Sequence, residues 1–241
     1  MITLVGVGHV FDLRSQLHEV IRQRRPRVVG LELDDVRWAA LQTRDHRGGA
    51  PIVYRLLSFF QERIADKYGG RVGEEMIAAA DAAKAVGADL AFIDRDSGDT
   101  FRAMWGGMGP GERLKFLLSL VGGMFVTKRR VESELQKFEQ DSAGYLEQAG
   151  EEFPNLKRVL LDDRNEYMAR AIRDLHARRG AVVAVVGDGH VDGLRAALAD
   201  LPVEVIRLRD LRQGSLPPPP TTPPAGSSVT FSYDVRGPGT T

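Results

Sequence analysis

Two short segments of this chain share one pattern. Gly6-Val7-Gly8-His9-Val10 stands near the start, and Gly187-Asp188-Gly189-His190-Val191 stands far along the chain. The sequence holds five histidines, and two of them occupy equivalent places in these segments. Each segment closes an apolar, β-branched run and precedes a stretch of helical periodicity. Glycine at such a junction lets the backbone turn sharply and approach a ligand closely. A histidine there is delivered to the carboxyl edge of a sheet, where imidazole acts as a metal ligand or a general base. Glu32 lies in the apolar run Val28-Val-Gly-Leu-Glu-Leu-Asp34. A carboxylate so placed costs several kcal/mol in desolvation unless it is paired or metal-bound. Two histidines and a carboxylate suit zinc, manganese or cobalt and leave open positions for water. The competing reading is a buried ion pair between Glu32 and an arginine such as Arg37, with Asp34 capping the next helix.

Further polar residues fit the same edge. Around residues 156–175 the apolar positions Leu160, Leu161, Met168, Ile172 and Leu175 form a helical stripe. Arg164 is four residues from both Leu160 and Met168, so it points inward with that stripe, and Asn165 lies beside it. An inward arginine needs an anionic partner: Glu32, a substrate carboxylate or a developing oxyanion. Glu75, in Gly73-Glu-Glu-Met76, sits where an acid complements a helix N-terminus. Asp94-Arg-Asp96 follows a third apolar run, so Asp94 can reach the site while Asp96 suits a helix cap. Neither Gly-x-Gly segment continues as a dinucleotide fingerprint, because Phe11 and Asp192 stand where a third small residue is required.

These residues need a scaffold that brings distant segments to one edge. Apolar runs at Ile2–Val7, 27–33, 89–93 and 181–186, with a weaker one at 203–208, predict strands buried on both faces. Helical segments at Arg14–Arg24, 34–43 and 193–200 alternate with them. The fold expected is α/β, a central, mostly parallel sheet flanked by helices, with a helical insertion at about residues 110–178. Ligands of such sheets sit beyond the carboxyl ends of the strands. Helical blocks are expected over 51–86 and 112–178. The apolar stretch 114–126 is too short for the ~20 residues that span a bilayer and reads as a buried or dimer-forming helix. Lys128-Arg129-Arg130 reads as a solvated helix face.

The chain has 241 residues, with 33 basic and 33 acidic side chains, so it lacks the basic excess of a phosphate-neutralising nucleic-acid binder. It contains no cysteine, which excludes disulfides, zinc fingers, iron–sulfur clusters and thiol nucleophiles. The start lacks the pattern of a signal peptide, and a cytoplasmic location is the expectation. From Gln213 to Thr241 seven of the twelve prolines gather, so a domain over 1–212 and a flexible tail are expected, with Val229–Tyr233 able to dock as an extended segment.

Together the blocks resemble the TraB family, which includes the pheromone-shutdown proteins. They are Gly-x-Gly-His-Val at the start, Val-x-Leu-Glu-Leu-Asp-x-x-Arg at 29–37, Gly-x-Glu-Met at 73–76, Ile-Asp-Arg-Asp-x-x-x-Thr at 93–100, Arg-Asn-x-x-Met at 164–168 and Val-Val-Gly-x-Gly-His-Val-x-Gly at 185–193. The family is similar to the Tiki metalloproteases and to the erythromycin-esterase/ChaN-like fold. That resemblance implies a divalent metal such as manganese or cobalt held by His9, Glu32 and His190, with Glu75, Arg164 and Asn165 as catalytic or substrate-binding positions. It implies a peptide or small-molecule substrate and a hydrolase; the helical insertion around 112–148 separately offers enough surface for a homodimer. Two alternatives stand beside it: a non-enzymatic protein that captures a peptide or tetrapyrrole, and a metal-free hydrolase with a histidine base. Unlike the membrane-bound members, this sequence carries no transmembrane segment after the domain.

Overall fold

The structure, a computed structural model, describes residues 1–8, 11–43, 73–123, 133, 134, 137 and 141–218. His9, the expected helical stretch 51–72, the basic triplet at 128–130 and the extended segment at 229–233 lie outside the described residues. In chain order the elements are β1 (Ile2–Val7), α1 (Arg14–Arg24), β2 (Val28–Leu31), α2 (Asp35–Thr43), α3 (Glu74–Val86), β3 (Asp89–Phe92), α4 (Ser97–Gly107), α5 (Pro110–Gly123), α6 (Ser142–Glu152), α7 (Pro154–Lys157), α8 (Asp163–Arg179), β4 (Val182–Gly187), α9 (Val191–Ala197), β5 (Val203–Ile206) and α10 (Leu208–Gln213).

The five strands form one all-parallel sheet in the order β3-β2-β4-β1-β5. β1, β2 and β4 are buried on both faces, as their unbroken apolar runs require. β3 departs from expectation. It lies at the sheet edge, where Asp89 and Leu90 are exposed, because a strand with one neighbour is covered less.

One face of the sheet packs Val5, Val7, Val29 and Val185 against Leu17 and Ile21 of α1, Met76 and Ala79 of α3, and Leu211 of α10. The other packs Ile2, Leu4, Val182 and Val186 against Met168 and Ile172 of α8 and Leu194 of α9. The helix after β1 thus lies on one face and the helix after β4 on the other, although these strands are neighbours. That is a topological switch point, and it opens a crevice beyond the carboxyl ends of β1 and β4. In register Val7 lies opposite Gly187, so both Gly-x-Gly segments leave the sheet side by side at that crevice.

A third, smaller core joins Met104, Met108, Phe116 and Val159, with Phe101, Trp105 and Leu160 packed against it. On α5, Leu114 and Leu118 point away from this core and are exposed at 60% and 62%. A π turn at Arg158–Asp162 joins α7 to α8, and the residues on either side keep right-handed helical dihedrals, so the rod is continuous. The π turn alters the expected stripe. Leu160 packs with the helical lobe and Leu161 joins none of the three cores, while Met168 and Ile172 lie under the sheet. An i→i+5 turn shifts the helical phase between its two sides. Among the described residues, no helix is long and apolar enough to cross a membrane.

Candidate functional site

Glu32 follows β2 directly, and its backbone N–H donates to the Val185 carbonyl at 3.1 Å, which draws it to the crevice side of β4. Its side chain is 7% exposed. Oε2 accepts from the Gly187 N–H at 2.6 Å, and Oε1 accepts from Nη2 of Arg164. His190 ends the 3-10 turn that follows β4 and is likewise buried. Its Nε2 stands 3.3 Å from Glu32 Oε1, and its Nδ1 lies 2.7 Å from Asn165 Oδ1. An amide oxygen only accepts, so Nδ1 carries a proton and donates it to Asn165. A neutral His190 then turns the Nε2 lone pair toward a carboxylate oxygen. Two electron-rich atoms in that arrangement need a proton or a cation between them.

Arg164 comes from the first turn of α8, four residues past Leu160, whose carbonyl accepts from its Nη1 at 3.2 Å. The guanidinium also clamps Asp94, just past β3, through Nε to Oδ1 at 3.0 Å and Nη2 to Oδ2 at 2.6 Å. Arg37 reaches the same carboxylate at 2.5 Å and Asp34 at 2.7 Å. Asp34 caps α2 by accepting from the Arg37 N–H at 2.8 Å and ties in α4 through the Ser97 N–H at 3.1 Å. Burial would raise the Asp94 carboxyl, but Arg164 and Arg37 outweigh it and hold it below the ordinary aspartate value. Burial likewise opposes the Arg164 charge, and Glu32 with Asp94 keeps that guanidinium protonated beyond its usual range. Among the described residues these three carboxylates and two guanidiniums form one chain of ion pairs, with Glu32 and His190 at its end.

The structure thus brings together Glu32, His190 and the adjacent pair Arg164 and Asn165 from three separate stretches of sequence. Arg37, the arginine first considered for Glu32, serves Asp34 and Asp94 instead, because it lies on the far side of Asp94 from Arg164 in the chain of ion pairs. Glu75 is buried in the first turn of α3, beside Glu74, which pairs with Arg14 at 3.5 Å. Asp96 caps α4 by accepting from the Asp99 N–H at 2.8 Å.

Sequence comparison settles the lineage of this scaffold. Residues 1–202 match the TraB/PrgY/gumN family. The chain belongs to that family. It is also similar to an uncharacterized protein of Methanocaldococcus jannaschii, at 27% identity over 206 residues. That match covers 80% of this chain and 52% of the relative, so the chain spans about half the relative's length.

In this TraB-family crevice the fit to a divalent cation can be judged from two donors. First-row metals bind imidazole nitrogen and carboxylate oxygen at about 2.0–2.2 Å, which sets such ligand atoms roughly 3.0–3.5 Å apart at octahedral to tetrahedral angles. The 3.3 Å between His190 Nε2 and Glu32 Oε1 falls within that span. The Nδ1 contact to Asn165 is the outer hydrogen bond that metal-bound histidines make. Among the described residues, which do not include His9, no group of three or more His, Asp or Glu stands ready to hold a metal.

Two features of the TraB-family site were not legible as functional. Asp188, the middle residue of the second Gly-x-Gly, is buried and accepts from the Leu208 N–H and from Nη2 of Arg207, both at 2.9 Å. A Cβ on Gly6 would lie 2.1 Å from its Oδ1, so Gly6 is small because Asp188 occupies that space. A Cβ on Gly193 would lie 2.2 Å from Asn165 Nδ2, so Gly193 leaves room for the amide that orients His190. The signal for the first was an acid between two glycines in only one of two matching segments. The second left no signal beyond a glycine inside a helix.

Proposed function

We propose that this TraB-family chain is a metal-dependent hydrolase of peptides, with a divalent cation held by His190 and Glu32 and by His9 as the third ligand. The observation that carries this reading is that His190 Nε2 faces Glu32 Oε1 at 3.3 Å, with Nδ1 committed to Asn165. When bound, the cation supplies a water of lowered pKa and polarises the scissile carbonyl. The protein's own groups prepare that chemistry. Asn165 fixes the His190 tautomer and ring plane. Arg164 and the Gly187 N–H hold both Glu32 oxygens in place. With both Glu32 oxygens held, Glu75, the buried carboxylate at the start of α3, would be the group that takes the proton of the attacking water.

Metal content by inductively coupled plasma mass spectrometry tests this after reloading with manganese, cobalt and zinc. Near-stoichiometric metal is expected in the wild type and none in His190→Ala or His9→Ala. A folded wild type that retains no metal would overturn the reading. A peptide-library cleavage screen with and without chelator then tests the peptidase half.

A further inference from the structure

Beside the buried network lies an open cleft of about 520 Å³, lined by Arg95, Asp96, Asp99, Asp163, Tyr167 and Arg170. Both of its walls continue the site. Arg95 and Asp96 directly follow Asp94, and Asp163 directly precedes Arg164, with Tyr167 and Arg170 on the same side of α8. The volume is that of a small-ligand pocket.

The charges lining the cleft are unequally committed. Asp96 is turned onto the Asp99 N–H as a helix cap, Asp99 pairs with Arg102, and Asp163 accepts from Arg158 at 3.1 Å. Arg170 is tied to Glu166 through its carbonyl at 3.2 Å and its carboxylate at 3.4 Å. Arg95 differs. It is half-buried, its backbone N–H donates to Asp94 Oδ1 at 2.8 Å, and among the described residues its guanidinium makes no ion pair or hydrogen bond. A partly desolvated guanidinium without a counterion favours an anion, and its planar fork matches a carboxylate. Tyr167, 44% exposed, adds a phenol donor on the opposite wall.

We propose that this cleft is a carboxylate subsite in which Arg95 binds the carboxylate of a peptide ligand and Tyr167 flanks it. The peptide identity rests on the hydrolase reading above; the carboxylate rests on Arg95. Two sources share this chemistry, a C-terminal carboxylate and an acidic side chain.

The test follows the arginine Nε–Hε signals of ¹⁵N-labelled protein during titration with three probes. These are acetyl-Ala-Ala with a free carboxylate, acetyl-Ala-Ala-amide, and acetyl-Asp N-methylamide. A saturable shift of the Arg95 signal is expected with at least one of the two acids and none with the neutral amide; whichever acid binds more tightly assigns the source. Arg95→Met should weaken that binding about tenfold or more, the equivalent of one charge-assisted hydrogen-bonded contact. Equal responses to acid and amide, no response to either acid, or undiminished binding by folded Arg95→Met would overturn the proposal. The titration needs neither metal nor turnover, so its failure is separable from a failure of metal loading at His190.

Discussion

Arg164 is the cation that joins the end of β2 to the end of β3, and replacing it with methionine keeps most of the stem while deleting the guanidinium. The substitution leaves Glu32 and Asp94 charged in positions that are 7% and 6% exposed. Removing one partner of a buried ion pair costs about 3–5 kcal/mol. The lower end applies here, because Asp94 keeps Arg37 and the Arg95 N–H, and Glu32 keeps the Gly187 N–H. A loss of about 3 kcal/mol is therefore expected at pH 7, a large part of the roughly 5–15 kcal/mol that stabilises an ordinary domain. The sign of the pH dependence is fixed. In the wild type Asp94 is held below its ordinary value, so its contribution is full above the unfolded pKa and fades as pH falls through the folded one. In Arg164→Met the same burial acts with less compensation, so the Asp94 carboxyl protonates more readily and the difference from wild type shrinks as pH falls from 7 toward about 4. Urea unfolding of both proteins at the two ends of that range measures this. Adding Glu32→Gln to Arg164→Met should recover part of the loss, with a coupling of about 0.5–3 kcal/mol. A loss at pH 7 below about 1 kcal/mol, the scale of a surface ion pair, would refute the reasoning. So would a difference that grows on acidification.

Gly193→Ala favours the α9 helix by up to about 1 kcal/mol in propensity yet drives its Cβ into Asn165. Metal affinity in a competitive chelator titration should fall about 10–100-fold, while thermal stability stays close to wild type. Gly6→Ala pushes a methyl into Asp188, which Arg207 and the Leu208 N–H hold in place, and should cost about 1–3 kcal/mol in urea unfolding. An unchanged midpoint would show that Asp188 yields. Burial holds the Asp188 carboxyl above the ordinary aspartate value despite the Leu208 N–H and Arg207. Its contribution is therefore full below the unfolded value of about 3.9 and is lost as pH rises through the folded one. Asp188→Asn should remove that decline from the pH profile of stability, read by urea midpoints at successive pH values.

Local pattern alone determined much of this protein. The apolar runs at Ile2–Val7, Val28–Leu31 and Val182–Gly187 are unbroken because those strands are buried on both faces, and α1 has the bounds its periodicity predicts. The inward aim of Arg164 was legible too, since a charged residue one helical turn before Met168 must enter the same face. Partner choice was legible only as a set of alternatives, Glu32 among those for Arg164. Which carboxylate meets which guanidinium depends on the strand order β3-β2-β4-β1-β5, which sets β2 beside β4 and so brings Glu32 to Gly187 and His190. That order and the edge position of β3 arise from packing between segments far apart in sequence. A repeating pattern of apolar residues records how deeply each segment is buried and with what period. It holds no distance between one segment and another, and the candidate site is made of those distances.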